Sequence, residues 1–165
     1  MIVACLLVAL GSALGGVARF GLAAFVAELL GPQFPWGTIL INIIGSFVIG
    51  FFATFTGPGG RAVASFSLRA FVMVGICGGF TTFSSFSLQT LDLMRESRIL
   101  QAGGNIALSL VACLFAVWAG HALASALNPP PRLYRSASST LATSTKPAPP
   151  RPSVIHLGGV ARPPR

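Results

Sequence analysis

The residues of this chain with chemistry to offer are few, and they lie inside apolar segments. Between 69 and 93 the sequence RAFVMVGICGGFTTFSSFSLQTLDL carries Gly75, Gly78 and Gly79, followed by Thr81, Thr82, Ser84, Ser85 and Ser87. Successive hydroxyls compete for backbone hydrogen bonds and adjacent glycines weaken a helix. The spacing therefore predicts a helix that breaks over 75–85. Non-helical backbone at membrane depth survives only where it is buried in protein or lines water, and its freed carbonyls need a partner. A cation is the natural partner for converging carbonyls. Phe80, Phe83 and Phe86 recur every three residues. Phe80 reads as packing, whereas Phe83 and Phe86 lie among the hydroxyls, where the electropositive edge of a phenyl ring can face an anion.

Two further segments carry polar residues on one face. In WGTILINIIGSFVIGFF (36–52), Thr38, Asn42, Gly45 and Ser46 share a helical face. In AGGNIALSLVACLFAVWAG (102–120), Asn105, Ser109 and Cys113 do the same. Each stripe alone is equally well an interhelical hydrogen-bonding seam; opposite one another and the hydroxyls of 81–87 they read as the wall of a pathway. The first segment carries GSALGGVARF (11–20), with a Gly11/Gly15 pair for close helix approach and with Arg19. Arg19 either snorkels to the interface or supplies a fixed positive charge at a vestibule.

These polar residues require membrane-spanning elements to position them. Only 8% of the 165 residues are charged and the mean hydropathy is +0.80, where an ordinary soluble domain carries about a quarter charged residues. No charge falls in 1–18, 29–60, 70–91 or 99–131. Each window accommodates a helix of about 20 residues, which spans a hydrocarbon core of about 30 Å. The fold class is thus an all-α membrane protein with four transmembrane helices, at about 2–27, 36–56, 67–93 and 100–126, the third broken at mid-membrane. Together they form one domain over 1–127. Pro35 and Trp36 suit the first turn and the lipid–water interface of the second helix.

The net charge of +8 comes largely from a tail over 128–165. Six of the eleven basic residues lie there (Arg132, Arg135, Lys146, Arg151, Arg162 and Arg165), among Pro, Ser, Thr and Ala. Such a composition predicts a disordered basic, Pro-rich tail, and nothing in it argues for a nucleic-acid partner. Within the helical domain Arg61 and Arg69 lie on one side, and Arg95 and Arg98 on the other with Arg19 leaning their way. The positive-inside bias is close to nil, which permits insertion in both orientations.

Several classes of chemistry are excluded. Cys5, Cys77 and Cys113 lie in three different apolar segments, and no CxxC, HExxH or Cys/His cluster exists. No nucleophile–base arrangement stands out, so the chain reads as no enzyme.

Taken together, GSALGGVARF, GTILINIIGSFVIG (37–50) and GICGGFTTFSSFS (75–87) resemble the CrcB/Fluc family of fluoride channels, over about residues 5–125. The resemblance implies a fluoride-selective channel that exports fluoride passively across the cell (inner) membrane and lowers fluoride in the cytoplasm. It implies an antiparallel, dual-topology homodimer (or a pair of paralogous chains of opposite orientation) in the lipid bilayer, with a structural sodium ion, Na+, at the dimer interface. On this chain the sodium ligands fall on the backbone carbonyls of Gly78 and Thr81. The fluoride pathway falls on Asn42, Thr82, Phe83, Ser85, Phe86, Asn105 and Ser109, with Arg19 at the vestibule. Two competing readings are a small four-helix antiporter and a non-transporting membrane scaffold. The first needs a carboxylate embedded in the membrane, and Glu28 and Asp92 sit at helix ends. The second leaves the hydroxyl-rich stretch after three glycines without a purpose.

Overall fold

The computed structural model describes residues 1–128, and all of its regular structure is helical. Among the described residues, four helices are long and apolar enough to cross a membrane: Ile2–Leu30, Trp36–Phe55, Phe66–Arg95 and Ile99–Leu127. They agree with the four sequence windows to within a turn. The first, second and fourth are continuous and are called α1, α2 and α6. The third is composite: α3 (Phe66–Arg69), a π-helical segment (Ala70–Cys77), α4 (Gly78–Phe80) and α5 (Phe83–Arg95). The disordered tail expected over 128–165 lies, apart from Asn128, outside the described residues. Asn128 itself belongs to the fold: its Oδ1 accepts from the Arg61 backbone N–H at 2.8 Å and its Nδ2 donates to the Thr54 carbonyl at 3.2 Å.

Leu, Ile, Val and Phe side chains along the outer faces of α1 and α6 are exposed, among them Val17, Phe20, Val111 and Phe115. In water this would be untenable, but in lipid it is the solvated surface. The hydrophobic effect therefore cannot hold these helices together, and close van der Waals packing must do so. Small residues make it possible. A β-carbon on Gly11 would lie 2.7 Å from the Phe71 carbonyl oxygen and 2.9 Å from Gly75 Cα, and one on Gly79 would lie 2.5 Å from the Ser12 carbonyl oxygen. One on Gly15 would meet the Ile76 carbonyl and lie 2.8 Å from the Phe80 nitrogen. The Gly11/Gly15 face thus seats α1 directly on the backbone of the third span. On the other side of the bundle, Gly50 of α2 meets Val117 and Gly120 of α6 meets Phe47 and Phe51, again backbone against backbone.

The ends of the helices are tied by polar groups. Ser65 caps α3 by accepting from the Leu68 N–H. The Arg69 guanidinium donates to the Ala53 carbonyl at 3.3 Å and to Thr56 Oγ1 at 2.8 Å, satisfying the C-terminal end of α2. At the opposite end, Arg98 pairs with Glu96 at 3.0 Å and donates to the Gln33 carbonyl at 2.6 Å. Gly31 closes α1 with φ of 81°, a left-handed conformation that favours glycine.

Overpacking the glycine seam displaces backbone rather than a flexible side chain. Gly15→Val is expected to destabilise the fold by about 1–3 kcal/mol. Gly103→Ala, which meets nothing within 4 Å, is expected to be neutral. Thermal melting in detergent, followed by loss of the monodisperse peak, distinguishes the two.

Candidate functional site

The site is built around two residues that belong to no helix. Thr81 (φ −76°, ψ 156°) and Thr82 (φ −151°, ψ 106°) are extended, between α4 and α5. The turn before them is still helical. The Thr81 N–H and the Thr81 hydroxyl both donate to the Cys77 carbonyl at 2.9 Å. The Thr82 N–H, which in a continuous helix would return to the Gly78 carbonyl, donates instead to Asn42 Oδ1 at 2.8 Å. Asn42 Nδ2 in turn donates to the Thr82 carbonyl at 3.2 Å. One side-chain amide of α2 thus pairs with both backbone groups of Thr82, as a neighbouring strand would. Helical structure resumes at once because the Thr82 hydroxyl caps α5, accepting from the Ser85 N–H at 3.1 Å and donating to Ser85 Oγ at 2.9 Å.

This arrangement borders a cavity of about 570 Å³. Asn42, Gly45 and Ser46 line it from α2, Gly78, Thr81, Phe83 and Phe86 from the third span, and Ser109 and Cys113 from α6. Apolar groups, including Ile49, Met73 and Leu110, complete the wall. The Phe83 and Phe86 rings lie 5.4 Å apart and tilted at 43°. Phe83 is 79% exposed and Gly78 is exposed as well. Among the described residues, no charged one lines the cavity.

The structure sorts the residues singled out in the sequence. Asn42, Phe83, Phe86, Ser109, Gly78 and Thr81 come together on the cavity. Thr82 and Ser85 stand beside it: the Thr82 hydroxyl caps α5 through the Ser85 N–H and donates to Ser85 Oγ. Asn105 does not line it; Asn105 is fully buried, with Nδ2 donating to Thr90 Oγ1 at 2.8 Å and Oδ1 accepting from Ser109 Oγ at 3.4 Å. Arg19 is half-buried on α1, one turn beyond Gly15, and is not part of the cavity wall. Among the described residues no group of three His, Cys, Asp or Glu could hold a metal ion.

Sequence reasoning passed over Thr90, although its spacing four residues after Phe86 was visible; its hydroxyl donates to the Phe86 carbonyl at 2.7 Å. It also passed over Gln89, whose Oε1 is buried without a hydrogen-bond partner among the described residues.

Residues 6–121, which contain every residue of the cavity wall, match the family described as CrcB-like protein, Camphor Resistance (CrcB). The chain belongs to the CrcB family. Its relatives include three proteins named fluoride-specific ion channel FluC. The one from Methylocella silvestris is 65% identical over 119 residues, covering 72% of this chain and 91% of the relative. The one from Opitutus terrae is 58% identical, with 74% and 93% covered. The one from Rhodospirillum rubrum is 54% identical, with 74% and 95% covered. These CrcB proteins are named as channels and not as enzymes, in accord with the absence of a catalytic arrangement in the sequence.

Removing the amide that pairs with Thr82 leaves a buried N–H and a buried carbonyl without partners. Asn42→Ala is expected to destabilise the protein by about 1–3 kcal/mol and to speed hydrogen exchange at the Thr82 amide. Melting in detergent together with site-resolved exchange checks both.

Proposed function

We propose that the protein is a fluoride-selective channel, passing fluoride down its gradient and so exporting it from the cell across the inner membrane. The observation that carries this reading is the identity of 65% to a fluoride-specific ion channel, in a chain whose family match includes every residue around the cavity.

The physical demands of fluoride fit the wall. Fluoride is small and holds its water tightly, so a pathway must offer replacement donors yet bind weakly enough to release the ion. Ser109, Ser46 and the second N–H of the Asn42 amide are neutral donors, and the edges of Phe83 and Phe86 are weaker ones. A lysine or arginine in a narrow dry passage would hold the anion too firmly, and none of the described ones lines this cavity. Thr82 and Ser85 hold the backbone turn that presents Phe83 and Phe86, and their oxygens stand next along the path. Asn105 stands behind Ser109. Arg19 supplies positive charge towards a vestibule.

The unit of function in this reading is an antiparallel homodimer. The exposure of Phe83 and Gly78 on the single chain supports it, because a pathway wall this open needs a second copy to close it. The near-zero charge bias of the helical domain allows both orientations.

A structural sodium ion at the centre of the dimer fits the donors present. The Gly78 carbonyl has lost its usual helical donor to Asn42, the Thr81 carbonyl belongs to extended backbone, and hard cations take oxygen ligands. Two carbonyls from each of two copies would hold it, and when bound it would neutralise converging carbonyl dipoles across the axis.

Purified protein in liposomes is expected to release fluoride passively, without a proton gradient and with chloride retained. Absence of flux from well-folded protein would sink the proposal, and proton-coupled flux would favour an antiporter. Phe83→Ile and Phe86→Ile are each expected to slow efflux about tenfold, about 1.4 kcal/mol on the barrier, while the dimer stays intact on gel filtration. Exchanging sodium for N-methyl-D-glucamine is expected to lower the melting temperature of the dimer, and an unchanged melt removes sodium from the site. A chain ending at Pro129 is expected to transport as the full chain does.

A further inference from the structure

The polar stripe of α6 is not uniform. Ser109 and Cys113 reach the cavity, whereas Asn105, one turn earlier, is 1% exposed and faces Thr90 of α5. The hydrogen bonds there have a fixed direction. A threonine hydroxyl has one proton, and that of Thr90 goes to the Phe86 carbonyl at 2.7 Å. Thr90 Oγ1 therefore accepts from Asn105 Nδ2 at 2.8 Å. Asn105 Oδ1 is left to accept from Ser109 Oγ at 3.4 Å, a long and weak contact. Thr90 is as well buried as Ser109, at 6% and 7% exposure. Among the described residues, Asn105–Thr90 is the side-chain hydrogen bond that joins α5 to α6.

We infer that Thr90 and Asn105 form a positioning latch, which fixes the Phe86 turn of α5 against α6, and that Asn105 acts through this latch without touching the conducted ion. The inference rests on the proposed fluoride conduction. The latch is tight where it grips the backbone bearing the Phe86 ring and loose where it meets Ser109. The short bonds set the ring on the cavity wall. The long one lets the Ser109 hydroxyl turn its proton towards an anion at little cost. Buried hydrogen-bonded networks of this kind hold one geometry because each member left unpaired is costly. Thr90 and Asn105 are accordingly positioning residues for Phe86, and Ser109 is the member of the stripe that meets fluoride.

The test uses the full chain in liposomes, with fluoride efflux counted per reconstituted dimer. Thr90→Val keeps the shape of the side chain and removes the hydroxyl; it is expected to slow efflux about tenfold. Thr90→Ser keeps the hydroxyl and is expected to restore efflux to within about twofold of the parent rate. In a Phe86→Ile background Thr90→Val is expected to add nothing, because the residue acts through Phe86 and coupled sites are not additive. Likewise, Asn105→Ala is expected to match Thr90→Val, with the double variant no slower than either. Where Thr90→Val does not fold, Asn105→Ala with and without Phe86→Ile gives the same comparison. Unchanged efflux in Thr90→Val overturns the latch. Effects of Asn105→Ala that multiply with those of Thr90→Val or Phe86→Ile also overturn it, and place Asn105 on the ion path. Loss of flux in the parent chain strikes the channel reading instead.

Discussion

The hydrogen-bond pair between the Asn42 amide and the backbone of Thr82 is the constraint on which the rest of the site depends. In hydrocarbon an unpaired N–H or carbonyl costs several kcal/mol, so a membrane helix cannot simply stop. Asn42 removes that cost at one residue by pairing with both groups. Once Thr82 is held outside the helix, three consequences follow. The Gly78 carbonyl is released from its usual donor, the Thr82 hydroxyl becomes free to start α5, and α5 begins with Phe83 at the edge of the cavity. An asparagine suits this position because its amide carries a donor and an acceptor side by side. An aspartate has only the acceptor and would bring a charge with it.

The glycine seam makes this pairing reachable. Asn42 can approach Thr82 only if α2 lies close to the third span, and Gly45 allows it: a β-carbon there would collide with the Thr81 methyl group. The close seating of α1 at Gly11, Gly15 and Gly79 holds the third span from the other side. Backbone packing and the polar site are thus one design. Small residues bring the helices within hydrogen-bonding range, and the hydrogen bonds determine where the third span departs from helical geometry.

The spans were legible in the sequence because hydropathy and charge gaps operate over whole windows, and the relevant solvent, lipid, imposes a single demand on all of them. The cluster of site residues was legible because polar residues in an apolar run have to face something. What each polar atom does was not legible. Asn42 and Asn105 look alike in sequence, each a lone amide in an apolar helix. Asn42 lines the cavity while bonding backbone, and Asn105 is fully buried against Thr90. The difference lies in which element sits opposite, and that is set by the long-range packing of α2 and α6 against the third span. Thr82 and Ser85 read as a pair of donors; that they also form a helix cap is a local geometry that appears only once the position of the new helix start is known. The π-helical segment was also invisible, since apolar residues such as those of AFVMVGIC carry no signature of helix bore.

That π-helical segment has a consequence of its own. Eight residues, Ala70–Cys77, are wound more loosely than an α-helix, and Gly78, Thr81, Phe83 and Phe86 follow directly on them. Because each residue of an ordinary helix turns the chain by about 100°, losing one residue from the loose winding, or tightening it by one, would rotate everything downstream away from α2 and α6. The segment is therefore a phase setting for the third span. Its length dials the angle at which the later half faces the bundle. Away from Gly75, which packs on Gly11, exchanging one apolar side chain for another keeps that angle, whereas a change of residue count does not.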